Sequence, residues 1–132
     1  MGDDVDASDY EDVKEGLLIE GLQDWIYLSW IHAGFEFDND VPRRPVAEAQ
    51  QLTLRMIREL VEDGLFILGV PDSKAPSAFR PWDVPLDQAI ATIEHRYVTH
   101  FEDRWNWATC VWLSLTDKGK ALALELYHAD DA

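Results

Sequence analysis

The sequence predicts a mostly helical α+β domain with a small β-sheet, and three features of its 132 residues predict it. Residues 46–63 carry apolar side chains at three- and four-residue spacings, which is typical of an amphipathic helix. Residues 110–115 are rich in β-branched and aromatic side chains, which is typical of a strand. Thr116 follows that strand directly and suits the N-cap of a final helix that ends at about residue 128. A hydrophobic content of 47% is enough for one domain with its own core.

The residues before the long helix predict shorter elements. A first helix is expected over residues 13–24, whose apolar side chains lie roughly on one side. Residues 25–28 are rich in strand formers and predict a short strand. Ser29 is placed to cap a second helix over residues 30–33, and Gly34 is expected to end it.

The long third helix is followed by a strand and then by an extended excursion. Pro45 suits the first turn of this helix, and Gly64 is expected to end it. Residues 65–68 predict the strand, and the excursion then occupies residues 69–106. It contains, in order, a loop with four prolines, an amphipathic helix and a turn (residues 71–85, 86–101 and 102–106).

Two stretches resemble the winged helix-turn-helix fold. Residues 57–66 (IRELVEDGLF) look like the end of a recognition helix running into the first wing strand. Residues 115–122 (LTDKGKAL) resemble the strand-to-helix return of MarR- and PadR-type regulators. The resemblance implies a winged-helix-like domain over residues 13–129, whose third helix would enter the DNA major groove. A typical wing is a short hairpin, whereas residues 69–106 would form an extended wing with a helix inserted in it.

The charge of the chain opposes generic nucleic-acid binding. Its formal charge is −15, from 26 acidic and 11 basic residues, and such a surface repels phosphate. Residues 1–12 hold six acids and no base, and they are expected to form a disordered, solubilising tail. The alternative is an acidic arm that shields an arginine-rich segment or mimics a nucleic acid towards a partner.

That arginine-rich segment supplies the candidate DNA contacts. Arginine and glutamine suit base edges and phosphates, and the exposed face of the third helix and the residues ahead of it offer Arg43, Arg44, Gln51, Arg55 and Arg58. The alternative is that Arg55–Glu59 and Arg58–Glu62 are ordinary surface pairs four residues apart. Arg43 and Arg44 are then expected to pair with nearby acids or with an anionic partner.

Six tryptophans supply the candidate protein contacts. Trp25, Trp30 and Trp112 lie in predicted elements and are expected in the core. Aromatic rings in or beside the excursion are candidate anchors for a partner, and the proposed contact residues are Phe79, Arg80, Trp82, Trp105 and Trp107. The alternative is that these rings attach the excursion to the core.

Signals for catalysis, metals and membranes are absent from the sequence. Cys110 is the only cysteine and is expected to be a buried thiol. His95 and His100 are five residues apart on a predicted helix and are therefore expected on different faces, while His32 and His128 are isolated. No glycine-rich phosphate loop or nucleophile elbow occurs, so no enzyme activity, metal or cofactor is expected. No apolar run has membrane-spanning length, and a cytoplasmic location is expected.

These features predict a non-enzymatic, acidic, winged-helix-like module that binds a protein with a basic surface, as a regulator, antagonist or immunity-type protein does. The alternative is a DNA-binding transcriptional regulator that uses residues 43–58 and forms a homodimer through its last helix.

Overall fold

The computed structural model describes residues 2–131, with side chains from Asp9 to Ala129. The helices are α1 (Gly2–Gly21), α2 (Leu28–Glu36), α3 (Val46–Glu62), α4 (Leu86–Glu94), α5 (Arg104–Trp107) and α6 (Asp117–Asp131). The strands are β1 (Ile26–Tyr27), β2 (Phe37–Asp38), β3 (Val41–Pro42), β4 (Phe66–Pro71), β5 (Phe79–Pro81) and β6 (Trp112–Leu115). A single 3₁₀ turn covers Pro76–Ala78, and a π-helical segment covers His95–Thr99. The predicted mostly helical architecture with a small sheet is confirmed.

Four strands form one antiparallel sheet in the order β1-β6-β4-β5, and β2 pairs with β3 in a separate hairpin. The inner face of the sheet contributes Ile26, Leu68 and Leu113 to the core. α3 contributes its buried stripe, which includes Met56, Ile57 and Leu60. Because one sheet face and one helix face are apolar, packing them together removes both from water.

The connections on either side of the sheet explain two sequence signals. Gly64 ends α3 with φ +72, a left-handed conformation that glycine adopts at little cost. The hydroxyl of Thr116 accepts a hydrogen bond from the Gly119 N–H at 3.0 Å and donates one to the Gly64 carbonyl at 2.6 Å. The predicted cap is therefore confirmed, and it also fastens α6 to the end of α3. A Cβ at Gly119 would lie 2.0 Å from the Leu65 carbonyl oxygen, so only glycine permits this approach.

The disordered tail predicted over residues 1–12 is wrong where side chains are described, because α1 begins at Gly2 and Tyr10 is 5% exposed. The Tyr10 ring stacks on Phe35 with ring centroids 5.9 Å apart. The part of this prediction that concerns the side chains of residues 1–8 lies outside the described residues.

The second helix also differs from its prediction. α2 runs from Leu28 through Gly34 to Glu36, and Ser29 is buried inside it instead of capping it. Continuing the helix past Gly34 brings Phe35 fully into the core, which outweighs the low helix propensity of glycine.

The helix predicted over residues 86–101 changes its winding part-way. α4 ends at Glu94, and the following π-helical turn places Tyr97 fully inside the core. The wider π turn also brings the rings of His95 and His100 together, with centroids 4.9 Å apart. The prediction that these two histidines lie on different faces is therefore wrong. The turn expected over residues 102–106 is partly occupied by α5.

Candidate functional site

The outer face of the four-stranded sheet carries a row of side chains in register. Tyr27 lies opposite Trp112, Trp112 opposite Gly69, and Gly69 opposite Pro81. Residues that lie opposite one another in an antiparallel sheet point to the same side. The row therefore crosses the sheet from one edge to the other on the side away from the core.

Aromatic rings cover this row. Tyr27 and Trp112 have centroids 5.0 Å apart, and Tyr27 and Trp30 have centroids 6.2 Å apart. Trp25, which directly precedes β1, has its ring centroid 5.3 Å from that of Phe79 on β5. A Cβ at Gly69 would lie 2.5 Å from the Phe79 ring, so that ring rests directly on the glycine backbone. We call this surface the aromatic face, and it consists of Trp25, Tyr27, Trp30, Phe79 and Trp112.

Several rings of the aromatic face are partly open to solvent. Trp30 is 46% exposed, and Trp25 and Trp112 are half-buried. The core position predicted for Trp30 is therefore wrong, and Trp25 and Trp112 lie on the solvent side of the sheet. Strand and helix patterns identified the elements of these residues, but they did not show that this side of the sheet is left partly open by the elements that the structure describes.

A groove adjoins the aromatic face at Pro81. It measures about 490 Å³ and has Trp82 on its wall, together with Asp83, Val84 and Gln88. A second hollow of about 180 Å³ shares Pro81, Trp82 and Val84 with it, and apolar side chains complete its lining. We call the two together the Trp82 groove. Ile67 and Val84 on its walls are 40% and 41% exposed, so the groove presents apolar surface to solvent.

The structure separates the five predicted partner contacts. Trp82 and the exposed Arg80 line the groove, and Trp105 is 95% exposed on α5. Trp107 and Phe79 were wrongly predicted as direct contacts, because they are 1% and 5% exposed; within the aromatic face, Phe79 packs against Trp25. The alternative given for such rings is confirmed for Trp107. It stacks on Phe101 with centroids 4.9 Å apart and donates a hydrogen bond from Nε1 to the Phe101 carbonyl at 2.8 Å.

The predicted DNA-contacting arginines ahead of α3 are held by groups of the same chain. Arg43 donates to Asp9 Oδ1 at 2.5 Å and to the Gly34 carbonyl. Arg44 donates to Asp9 Oδ2 and, at 2.8 Å, to the Phe35 carbonyl. The expected pairing of these arginines with a nearby acid is confirmed, and the acid belongs to α1. The carbonyls at the end of α2 add the partial negative charge of a helix C-terminus.

The predicted DNA contacts on α3 itself make fewer contacts with other groups of the chain than Arg43 and Arg44 do. Arg55 places its guanidinium 4.6 Å from the centre of the Tyr10 ring, and Gln51 is exposed. Arg58 contacts Asp87 at 2.7 Å and Glu62 at 3.5 Å, which confirms the expected Arg58–Glu62 pair.

The pairing expected between Arg55 and Glu59 is replaced by contacts to α1. Glu59 binds Lys14 at 2.9 Å and accepts a hydrogen bond from the Tyr10 hydroxyl at 3.3 Å. Burial and the Glu59 carboxylate together raise the pKa of Tyr10 well above its usual value. One edge of α3 is therefore covered by α1.

A buried polar cluster surrounds His32, and it was not predicted from the sequence, in which His32 is isolated from the other histidines. Its Nδ1 is hydrogen-bonded to the Tyr97 hydroxyl, and its Nε2 lies 2.8 Å from Glu36 Oε1. Burial lowers the pKa of His32 despite the neighbouring Glu36, so the neutral ring is favoured. The neutral ring fits both contacts when Nε2–H donates to Glu36 and Nδ1 accepts from Tyr97. Tyr97 is 0% exposed, so this cluster joins α2 to the π segment inside the core.

The remaining candidate groups are not organised as a metal or nucleophile site. Cys110 is half-buried, and burial raises the pKa of its thiol, which favours the unreactive protonated form. Within the described residues, no group of three or more histidine, cysteine, aspartate or glutamate side chains is arranged to hold a metal ion. The described helices include none with both the length and the apolar character needed to cross a membrane.

Comparison with protein-family models, curated proteins and solved structures finds no match for this chain.

Proposed function

We propose that this protein is a non-enzymatic, winged-helix-like interaction module that binds a basic protein. The order β1, α2, α3, β4, β6 and α6 supports the winged-helix assignment. In it, α3 leads into β4, β4 pairs with β6, and β6 leads directly into the capped α6. The segment between β4 and β6 holds β5, α4 and α5 in place of a short wing.

One observation favours a protein partner over a DNA partner. The Asp9 carboxylate binds both Arg43 and Arg44. A DNA-binding protein gains most of its affinity when free cations neutralise phosphates. Here two of the five candidate residues are already paired with one acid, and Arg58 contacts two more acids. A phosphate would have to displace these carboxylates while it approaches a chain of charge −15.

The partner is proposed to be basic because charge and exposed rings act together. An acidic surface attracts a basic partner over distances of about a Debye length and speeds its association. Exposed aromatic side chains such as Trp30 then supply the apolar contact that fixes the complex. The aromatic face and the adjoining Trp82 groove form the proposed contact surface.

Affinity capture from the native cell extract, with and without nuclease, tests this proposal. We expect a protein to be retained equally in both conditions and to be released by raised salt, since charge contributes to its binding. A partner that disappears on nuclease treatment would contradict the proposal.

A DNA-binding regulator is the second candidate, and the exposure of Gln51 and Arg55 on α3 favours it. Leu124 and Tyr127 are 39% and 46% exposed on α6, which would suit the homodimer that such a regulator forms through its last helix. Titration of generic duplex DNA at low salt tests this candidate. Binding that weakens steeply with salt and is lost in the Arg55→Ala, Arg58→Ala double variant would favour it over the protein partner.

A further inference from the structure

We infer that the Trp82 groove binds an extended segment of the partner that carries an apolar side chain and, two residues away, an arginine or lysine. This inference rests on the proposed function, because it names what the basic partner places in the groove. It depends on the two hollows that share the Trp82 ring and on the charges at their rims.

The two hollows differ in chemistry. The smaller hollow, of about 180 Å³, is lined by apolar residues that include Ile67, Leu68 and Leu86. The larger hollow has the Asp83 carboxylate and the polar side chains of Gln88 and Thr92 on its wall. The first suits an aliphatic side chain, and the second suits a polar or charged one.

The charge in the larger hollow selects a cation. Arg80 also lines it, but its guanidinium is paired with Asp72 at 3.3 Å. Asp83 enters no ion pair with any residue whose side chain the structure describes. A cation in this hollow would lie beside both the Asp83 carboxylate and the Trp82 indole, and indole attracts cations most strongly among the aromatic rings.

The adjacency of the two hollows suits an extended chain. Pro81, Trp82 and Val84 line both hollows, so the two hollows are adjacent. In an extended peptide, residues i and i+2 point to the same side and lie about 6.6 Å apart. The groove is also held in place before binding. The Trp82 N–H donates to the Leu68 carbonyl at 2.9 Å, and Pro81 and Pro85 restrict the loop between β5 and α4.

Three short peptides test the inference on the full chain: Ac-Leu-Gly-Arg-NH2, the same peptide with neutral citrulline in place of arginine, and Ac-Gly-Gly-Arg-NH2. Binding is followed by the indole N–H signals of the tryptophans in two-dimensional NMR spectra. The Trp82 signal is the one that disappears in Trp82→Phe.

The arginine peptide is expected to shift the Trp82 signal and leave that of the exposed Trp105 in place. The citrulline peptide is expected to bind about 5-fold more weakly. The peptide without leucine is expected to lose about as much affinity, because it leaves the smaller hollow empty.

Matched variants separate recognition from general attraction to an acidic protein. Asp83→Asn is expected to weaken the arginine peptide about 3-fold and to leave the citrulline peptide unchanged. Glu125→Gln makes the same charge change at an exposed position of α6 and is expected to have no effect. Equal binding of the arginine and citrulline peptides would overturn the inference, as would equal losses in the two variants.

The captured partner distinguishes this inference from the proposed function. If a nuclease-resistant protein partner is retained equally by the wild type and Trp82→Ala, the groove inference fails and the proposed function stands. If the peptides bind as expected but no protein partner is captured, the proposed function fails alone.

Discussion

The contact of Asp9 with two arginines holds the N-terminal half of α1 against the start of α3, and Asp9→Ala removes it. The Asp9 side chain is 19% exposed, while those of Arg43 and Arg44 are 29% and 8% exposed. Both arginines keep a backbone carbonyl as a partner in the variant, on Gly34 and Phe35. The loss is therefore smaller than that of a fully buried pair.

We expect Asp9→Ala to lower the free energy of unfolding by about 2 kcal/mol, the size of one charge-assisted hydrogen bond. For a chain of this length, that corresponds to a fall of about 8 °C in the melting temperature. Urea denaturation of both variants at the same ionic strength measures the change.

Asp12→Ala provides the matched control. Asp12 is exposed on the same helix, so its replacement makes the same charge change and gains the same helix propensity. The difference between the two variants isolates the contact with the arginines. If Asp9→Ala and Asp12→Ala agree within about 0.5 kcal/mol, which is the scatter expected for surface changes, the docking of α1 through Asp9 is refuted.

Three further predictions follow from the core and the caps. Trp107→Ala should lower the free energy of unfolding by about 3–5 kcal/mol, because it leaves a cavity in the core. Trp105→Ala should change the free energy of unfolding by less than about 0.5 kcal/mol, because the Trp105 side chain is exposed, and urea denaturation measures both changes. Thr116→Ala should cost about 1 kcal/mol by the same assay, because it removes the cap of α6; an unchanged midpoint would show that the cap contributes nothing. The pKa of His32 in the folded protein lies below its usual 6.5, so the unfolded chain binds a proton at this residue more readily than the folded chain does. The contribution of His32 to stability should therefore be complete above about pH 6.5 and decline as the pH falls. Denaturation midpoints measured between pH 5 and 7 should therefore fall more steeply in the wild type than in His32→Gln, and equal slopes would contradict the assignment.

The elements that sequence reasoning placed correctly are those with local causes. The apolar spacing of residues 46–63, the left-handed glycine at Gly64 and the hydroxyl of Thr116 each act within a few residues. Each would favour the same conformation in almost any surroundings.

The elements it missed have distant causes. α1 extends through Tyr10 because that ring packs on Phe35, which lies 25 residues further along the chain, and because Asp9 meets two arginines beyond it. The π segment depends on placing Tyr97 beside His32, 65 residues away. Composition alone described residues 1–12 as an acidic tail, because it contains no information on these partners.

The same contrast between local and distant causes applies to the candidate contact surface. Sequence reasoning identified Trp82 and Arg80 beside the sheet, since a proline-rich loop is normally at the surface. It placed Trp30 in the core and Trp107 at the surface, whereas the structure shows the reverse. The element that a residue belongs to does not reveal which face of that element is covered by another one. That information exists only once the excursion has folded back over α2 and α3.

We propose that this chain binds a protein through its aromatic face and does not bind DNA through its arginine-rich segment. The most direct test measures how much partner protein is retained from a nuclease-treated native extract by three variants. They are Trp30→Ala, the Arg55→Ala, Arg58→Ala double variant, and Tyr127→Ala, whose ring is as exposed as that of Trp30 but lies on α6. We expect retention to fall at least about 5-fold in Trp30→Ala, as for an interface anchor, and to stay at the wild-type level in the other two variants. Full retention by Trp30→Ala, with loss in the arginine variant, would contradict it.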